Sequence, residues 1–177
     1  PQAPIAPIMA AVLEEANANP LMRALWQPRL LAGLEWAAGA VRATAREVLA
    51  VEEEAKGHFH FAGVRVHGKA DRIDRLDDGT LAIVDYKTGK PPSAAQVAKG
   101  YALQLGVLGL IAEAGGFARA QGQPAAFEYW SLRRCETSPT GFGVIETPLK
   151  LAGKRSGVEP EDFLPMTERK LREAVER

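Results

Sequence analysis

Apolar and polar positions follow three successive patterns along the chain, and the first of them is helical. The first 46 residues are rich in Ala, Leu and Glu and poor in β-branched residues, a composition that favours helix. Pro20 and Pro28 interrupt this stretch, because the residue before a proline disfavours helical torsions. We therefore expect helices at about residues 4–18 and 28–46. The apolar residues of the second helix recur at helical spacing and predict one buried stripe, formed by Leu30, Leu34, Ala38 and Val41.

The second pattern is that of short strands. Residues 48–61 and 64–76 carry apolar side chains in two parities, and the switch across Gly63 predicts a turn between two strands. The segment Asp77-Asp78-Gly79 then predicts a hairpin, because Gly and Asp accept the left-handed torsions of such turns. Residues 81–87 are mostly apolar and predict a third strand at the centre of the sheet.

The third pattern combines a helix with later strands. Ser93 has the chemistry of a helix N-cap, and Gly115-Gly116 marks the end of that helix. We expect further strands at about 126–132 and 142–146 and a charged helix from about Met166. One buried face of the central helix is predicted, formed by Val97, Tyr101, Leu105, Leu108 and Ala112. The order α-β-β-β-α-β with flanking helices predicts an α/β (α+β) fold with a mixed sheet.

Composition limits the function classes and suggests the organisation of the chain. Lys plus Arg equals Asp plus Glu at 22 each, so the net charge does not advertise a nucleic-acid partner. Cys135 is the single cysteine, which excludes an internal disulfide and any four-cysteine zinc or iron–sulfur site from this chain alone. No apolar run approaches bilayer-spanning length, so we expect no membrane association. The cysteine count fits a reducing cytoplasm, which is the location that we expect. We expect a helical lead-in at 1–46, a core at 47–149 and a C-terminal tail at 150–177, within a protein that is longer than this chain.

The residues with the clearest chemical pattern are two aspartates and a lysine. Asp85 and Lys87 lie two positions apart on the third strand, so their side chains project to one face. Asp71 lies across the predicted hairpin, about level with either Asp85 or Lys87. Two carboxylates can hold a hard divalent cation, and the carbonyl of Tyr86 is a further ligand candidate. With Lys87 orienting water and offsetting phosphoryl charge, this set is suited to phosphodiester hydrolysis.

The motifs that surround these residues resemble a known family. The segments Gly68–Asp74, Leu81–Lys90 and Gly100–Leu105 contain a Gly-x-x-Asp strand, an Asp-Tyr-Lys strand and a Tyr-x-x-Gln helix at matching spacing. Over residues 47–132 the chain resembles the RecB-type branch of the PD-(D/E)XK nucleases. The resemblance implies a PD-(D/E)XK nuclease-like core, DNA as substrate, and Mg²⁺ or Mn²⁺ as cofactor.

The same resemblance implies roles for individual residues. Asp71 and Asp85 would bind metal and Lys87 would be catalytic, while Gln104 would take part in catalysis and, with Tyr101, contact the substrate. The helical lead-in around Trp26-x-Pro28 resembles, more narrowly, the AddB subunits of AddAB helicase–nucleases, which process double-strand breaks. That resemblance implies an exodeoxyribonuclease with an AddA-like partner subunit.

The chain departs from the family pattern in three respects. The family carries a histidine on a helix before the first strand; here it either precedes Pro1 in a longer parent or is replaced by Glu35. Leu108 stands where an aromatic residue is expected. The cysteines that hold an iron–sulfur cluster in some relatives are absent, so no such cluster is expected from this chain.

Several alternatives remain open at this level. The domain is either an active nuclease or a catalytically silent scaffold or DNA-binding module of the same fold. Asp74 is out of phase with Asp71, so it either pairs with Arg72 or Arg75 or reaches the metal. Some cationic residues are either phosphate contacts or merely solvated, namely Arg133, Arg134, Lys150, Lys154 and Arg155.

Overall fold

In chain order, two helices precede the strands, two lie between the fifth and sixth strands, and one follows the last strand. The structure is a computed structural model that describes residues 4–17, 19–44, 46–55 and 59–176. The helices are α1 Ile5–Glu15, α2 Pro20–Ala43, α3 Ala94–Ala98, α4 Gln104–Glu113 and α5 Pro160–Val175. The strands are β1 Glu47–Glu54, β2 Phe59–Phe61, β3 Val64–Val66, β4 Lys69–Arg75, β5 Leu81–Lys87, β6 Pro124–Arg134 and β7 Phe142–Glu146. In the part of the chain described, none of the helices is long and apolar enough to cross a membrane.

Five strands form one mixed sheet in the order β1-β4-β5-β6-β7, and β2 and β3 form a separate hairpin. The predicted fold class, a mixed sheet with flanking helices, is confirmed. The predicted strand β5 lies at the centre of the sheet, as its apolar sequence indicated.

The chain divides into two compact units. The first unit comprises Pro1–Thr44, Lys87–Lys90 and Trp130–Ile145. The second unit comprises Ala45–Tyr86, Pro91–Tyr129 and Glu146–Arg177. The boundaries expected from the sequence, at 46/47 and 149/150, stay predictions.

A tight hairpin joins β4 to β5 and confirms the predicted turn. The strands pair antiparallel, with Arg75 opposite Leu81 and Arg72 opposite Val84. The turn is closed by the Leu76 amide, which donates to the Thr80 carbonyl at 2.8 Å. Gly79 has a φ of +84°, in the left-handed region that glycine accepts without strain. The hairpin therefore sets which residues of the two strands face each other.

The core of the second unit lies on one face of this β4–β5 pair. Ile73, Leu81 and Ile83 alternate onto that face and are fully buried. Helix α4 covers them with apolar side chains, and α5 packs on α4 through Phe163 and Met166. Burial of this apolar surface is the main favourable term for the unit.

The long central helix expected after Ser93 is two helices. Ser93 caps α3 as predicted, in a capping box with Gln96. The chain then leaves the helix at Gly100, whose φ is +85°. The Gly100 amide donates to the Val97 carbonyl and the Tyr101 amide to the Gln96 carbonyl, which is the Schellman pattern of a helix end.

Because α3 ends at this point, the prediction that Tyr101 belongs to the buried face is wrong. Tyr101 lies in the connection between α3 and α4 and is 80% exposed. The other four residues predicted for that face are buried, namely Val97, Leu105, Leu108 and Ala112.

The predicted helix boundary at Pro28 is also wrong, because α2 continues through it. The residues predicted to form the stripe, Leu30, Leu34, Ala38 and Val41, are only half-buried. Two neighbouring small residues, Gly33 and Ala37, are buried instead. A Cβ at Gly33 would lie 2.6 Å from the Leu132 carbonyl oxygen, so the helix backbone approaches β6 closely there. The smallest side chains, rather than the largest, therefore mark the inner face of α2.

Replacement of Gly106 tests how closely α4 and α5 pack. A Cβ there would lie 2.1 Å from Oγ1 of Thr167, a buried residue of α5. We expect Gly106→Ala to lower the free energy of unfolding by about 1–3 kcal/mol, because a rigid core must move to admit the methyl group. The measurement is urea unfolding followed by circular dichroism.

The matched control is Gly39→Ala in α2, where the nearest atom to an added Cβ is 3.8 Å away. This change should raise stability by up to about 1 kcal/mol, because alanine favours helix over glycine. An equal effect of the two substitutions would contradict the packing described for α4 and α5.

Candidate active site

A hydrogen bond brings Asp71 to the strand that carries Asp85. Oδ2 of Asp71 accepts from the main-chain amide of Tyr86 at 2.8 Å. The pairing of β4 with β5 reaches Arg72 and Val84, and its next step would oppose Asp71 and Asp85. The sequence left open whether Asp71 lies level with Asp85 or with Lys87. The register and this hydrogen bond place Asp71 level with Asp85.

Asp85 lies at the inner end of this site and is 1% exposed. It follows Leu81 and Ile83 in alternation, so its side chain leaves β5 on the face that holds the core. Tyr129, a buried residue of β6, interacts electrostatically with Asp85. Burial, and to a smaller extent the negative charge of Asp85, raise the pKa of Tyr129 to about 12.

Lys87 is the last residue of β5 and is half-buried. It lies two positions after Asp85 in the same strand, so the alternation of the strand directs both side chains to the same face. The loop that follows is held in place, since the Ser131 hydroxyl donates to the Gly89 carbonyl at 2.7 Å.

Gln104 and Tyr101 are not part of one helix. Gln104 is the first residue of α4 and is exposed, whereas Tyr101 precedes the helix. Gln104 therefore begins the helix that covers the Asp85 face of the sheet. Its role in catalysis and in substrate contact stays a prediction. Glu35, the alternative to the upstream histidine, is exposed on α2.

Asp71 and Asp85 offer carboxylate oxygens, the ligand type that hard divalent cations such as Mg²⁺ take. Among the described residues, no three His, Cys, Asp or Glu side chains come together as a metal-binding group. Mg²⁺ keeps several waters and is held by one or two carboxylates, which Asp71 and Asp85 can supply. Each carboxylate oxygen has two lone pairs, so the bond from Tyr86 orients Asp71 and leaves it able to bind a cation. The two residues therefore fit the expected ion.

The opposite face of β4 and β5 carries a buried polar network. The Arg72 guanidinium lies 2.9 Å from the Asp74 carboxylate, and both side chains are at least 97% buried, at 3% and 1% exposure. Arg72 also donates to the Tyr86 hydroxyl. Burial raises the pKa of Asp74, and the charge and hydrogen bond of Arg72 oppose that rise. Asp74 thus pairs with Arg72, one of the two partners expected from the sequence, and lies away from the Asp85 face.

A second ion pair on this face could not be found from the sequence. The two terminal guanidinium nitrogens of Arg46, Nη1 and Nη2, donate to the two carboxylate oxygens of Glu128, at 2.8 and 2.9 Å. The residues are 82 positions apart, so no local pattern connects them. The only signal in the sequence is the charge of Glu128 between the apolar residues Phe127 and Tyr129 of β6.

The glycine of the Gly-x-x-Asp segment also has a structural reason. A Cβ at Gly68 would lie 2.8 Å from side-chain atoms of both Leu108 and Ile111 in α4. Leu108, which replaces the aromatic residue expected there, is buried against this glycine. The Gly-x-x-Asp segment is therefore packed directly against α4.

Comparisons with known proteins agree with these features. A model of the PD-(D/E)XK nuclease superfamily matches residues 6–177. An ATP-dependent helicase/deoxyribonuclease subunit of Streptococcus uberis is 51% identical over 47 residues, which are 27% of this chain and 4% of that protein. The subunit of the same name from Streptococcus mutans is 54% identical over 39 residues, 22% of this chain and 4% of that protein. The aligned stretches thus cover a small part of each relative.

The β4–β5 turn should respond to acid. Oδ1 of Asp78 accepts from the Thr80 hydroxyl at 2.6 Å and from its amide at 2.9 Å, and these bonds lower the pKa of Asp78. A carboxyl group with a lowered pKa stabilises the fold above its unfolded pKa, and this contribution is lost as the pH falls through the folded pKa. We expect Thr80→Val to raise the pKa of Asp78, as measured by carboxyl-carbon NMR titration.

The stability difference between the parent protein and Thr80→Val should accordingly shrink as the pH falls below about 4, the ordinary pKa of an aspartate. Asp77→Asn, a change at the exposed neighbouring position, should leave the titration of Asp78 in place. An unchanged Asp78 titration in Thr80→Val would contradict the hydrogen bonds described for the turn.

The buried Arg72–Asp74 pair should contribute more to stability than an exposed ion pair between β4 and β1. Asp74→Asn leaves the guanidinium buried without a full counter-charge, so we expect the free energy of unfolding to fall by about 3 kcal/mol. The control is Glu52→Gln, which removes the partner of Lys69 at a pair that is 61% and 51% exposed. That loss should stay below about 1 kcal/mol, and similar losses from the two variants in urea unfolding would refute the difference.

Proposed function

The chain belongs to the PD-(D/E)XK nuclease superfamily, and on this basis we propose that it is the metal-dependent deoxyribonuclease domain of a helicase–nuclease that processes DNA double-strand breaks. The observation that carries the proposal is the hydrogen bond from the Tyr86 amide to Asp71, beside the buried Asp85. It holds two carboxylates at the end of one strand pair, as metal-assisted hydrolysis of a phosphodiester requires.

In this proposal Asp71 and Asp85 hold Mg²⁺ or Mn²⁺, with the Tyr86 main-chain carbonyl as a further ligand. The bound ion would polarise the phosphate and activate water. Burial strengthens the role of Asp85, because a carboxylate with little access to solvent interacts more strongly with a cation. The Tyr86 amide keeps Asp71 in one orientation, so little reorganisation is needed when the ion binds.

Lys87 is proposed as the catalytic cation. Its ammonium group orients the water that attacks phosphorus and donates to a phosphoryl oxygen as negative charge grows there. Attack by water forms one phosphorus–oxygen bond and releases a proton to solvent, while the bond to the leaving oxygen breaks and that oxygen takes up a proton from solvent. Gln104, at the start of α4, and the exposed Tyr101 are proposed to contact the DNA near this centre.

The names of the two relatives support the wider setting. Each is a subunit of an ATP-dependent helicase/deoxyribonuclease. We propose by analogy that the parent protein acts on DNA as an exonuclease, with an AddA-like partner subunit, in the cytoplasm.

A catalytically silent scaffold of the same fold is the second candidate. The equal numbers of cationic and anionic residues favour it. The active proposal has more support, because Asp71, Asp85, Lys87 and Gln104 are all retained, and a silent site has no chemical need for them.

Substitutions at β5 separate these two functions. Lys87→Ala leaves both carboxylates, so Mn²⁺ binding measured by calorimetry should persist while cleavage of linear DNA falls by orders of magnitude. Asp85→Ala should remove both metal binding and cleavage, since it deletes one of two anionic ligands. Lys90→Ala, at an exposed position in the loop that follows, is the matched control and should cleave DNA as the unsubstituted protein does.

Each reaction is run with Mg²⁺ and with EDTA, and circular dichroism checks that every variant is folded. Equal cleavage by the parent, Lys87→Ala and Asp85→Ala would show that any nuclease activity lies elsewhere. The silent scaffold would then be the better description of this domain.

A further inference from the structure

Two consecutive residues of β4 hold Tyr86 from the two faces of the sheet. The Asp71 carboxylate, which lies level with Asp85, accepts from the Tyr86 amide at 2.8 Å. On the opposite face, the Arg72 guanidinium donates to the Tyr86 hydroxyl. The alternation of the strands explains this arrangement, because neighbouring residues of a strand point to opposite faces. The main chain and the side chain of Tyr86 are therefore restrained by separate groups that are adjacent in sequence.

These two hydrogen bonds lie at the end of the strand pair that carries the carboxylates. The regular pairing of β4 with β5 ends where Arg72 lies opposite Val84. Tyr86 lies two residues beyond Val84, and strand ends open locally more readily than strand centres do. The position of the main chain at Tyr86 therefore depends to a large extent on side-chain contacts.

Arg72 is itself fixed by a second partner. Its Nε lies 2.9 Å from Oδ1 and 3.1 Å from Oδ2 of Asp74, and both side chains are almost completely buried. Its Cζ lies 5.4 Å from the centre of the Tyr86 ring, within the range of a cation–π contact. The planar guanidinium thus engages the carboxylate through Nε and the phenol through Nη1, a geometry that a lysine ammonium cannot reproduce.

Stability alone does not require this polar network. Replacement of a buried ion pair by apolar residues of similar volume is often neutral or stabilising. The network also has no charge left over for a ligand, since Arg72 balances Asp74 and Arg46 balances Glu128. What apolar side chains could not supply is a directional, charge-assisted bond to the Tyr86 hydroxyl.

We propose that Arg72 is a positioning residue of the nuclease centre: it fixes the Tyr86 side chain, and thereby the main chain that orients the Asp71 carboxylate. The inference rests on the proposed function, in which Asp71 and the Tyr86 carbonyl bind the ion. Arg72 lies on the opposite face of the strand pair, so it touches neither the ion nor DNA. Groups that orient metal ligands typically change metal affinity or activity by about tenfold or more when they are removed.

Hydrogen exchange in EDTA tests the restraint without metal or DNA. Tyr86→Phe removes the hydroxyl and keeps the ring. We expect the main-chain amide at position 86 to exchange about tenfold faster in this variant, because the strand end loses its bond to a charged group. Arg72→Lys should have the same effect, because it loses the planar contact with the phenol. The measurement is amide exchange followed by NMR.

Metal binding and kinetics test the consequence for the centre. In both variants the Kd for Mn²⁺, measured by calorimetry, should rise about tenfold. The kcat on linear DNA should fall by a similar factor while KM stays nearly constant, because neither change removes a group proposed to contact DNA. A residue that served only folding would lower the folded fraction and leave the Mn²⁺ affinity of the folded protein unchanged.

The matched control is Glu128→Gln, which weakens the ion pair with Arg46 on the same face and leaves Arg72 and Tyr86 in place. It should lower stability in urea unfolding. The exchange rate at position 86, the Mn²⁺ affinity and kcat should stay as in the unsubstituted protein, because local opening of the strand end does not require global unfolding. Circular dichroism checks that each variant is folded.

The outcomes separate this inference from the proposed nuclease. Unchanged exchange at position 86 in both variants, or equal acceleration in Glu128→Gln, would overturn the inference even where Lys87→Ala abolishes cleavage. Faster exchange with unchanged Mn²⁺ affinity and kcat would also overturn it, since the centre would not depend on Arg72. Faster exchange and weaker Mn²⁺ binding in a protein that cleaves no DNA would support the role of Arg72 and refute the proposed function.

Discussion

The structure of the second unit depends on one constraint, the placement of the Asp71 and Asp85 carboxylates at the same end of the β4–β5 pair. Asp85 is buried at the end of an apolar strand, and the Asp71 carboxylate accepts from the next amide. Negative charge concentrated in this way is unfavourable in a region with little solvent, unless a cation or a fixed hydrogen bond offsets it. The tight turn, the core around Ile73 and the hydrogen bond from Arg72 to the Tyr86 hydroxyl hold β4 against β5 despite that cost.

Much of this arrangement could be predicted from the sequence, because its determinants are local. The turn at Gly79 and the cap at Ser93 depend on a few adjacent residues, and both were predicted correctly. Predictions from the local sequence were wrong where two local patterns indicated different structures. Pro28 is tolerated inside α2, and the left-handed Gly100 ends a helix that the apolar spacing had continued through Tyr101.

The rest could not be predicted because it depends on residues that are far apart in the chain. Arg46 and Glu128, for example, pair across 82 positions. The contact of Gly68 with Leu108 is similar, since neither residue indicates the other in the sequence. The side chain at position 108 must therefore fit against the backbone at Gly68.

The separation of contacting residues along the chain also implies an order of folding. Asp71 and Tyr86 are only 15 positions apart, so the loop that joins them closes at little entropic cost. The Arg46–Glu128 pair on the other face needs most of the chain in place first. The contacts of Asp71 and of Arg72 with Tyr86 both lie within the β4–β5 hairpin, so they can form together early in folding. The Arg46–Glu128 pair, in contrast, forms only when β6 joins the sheet.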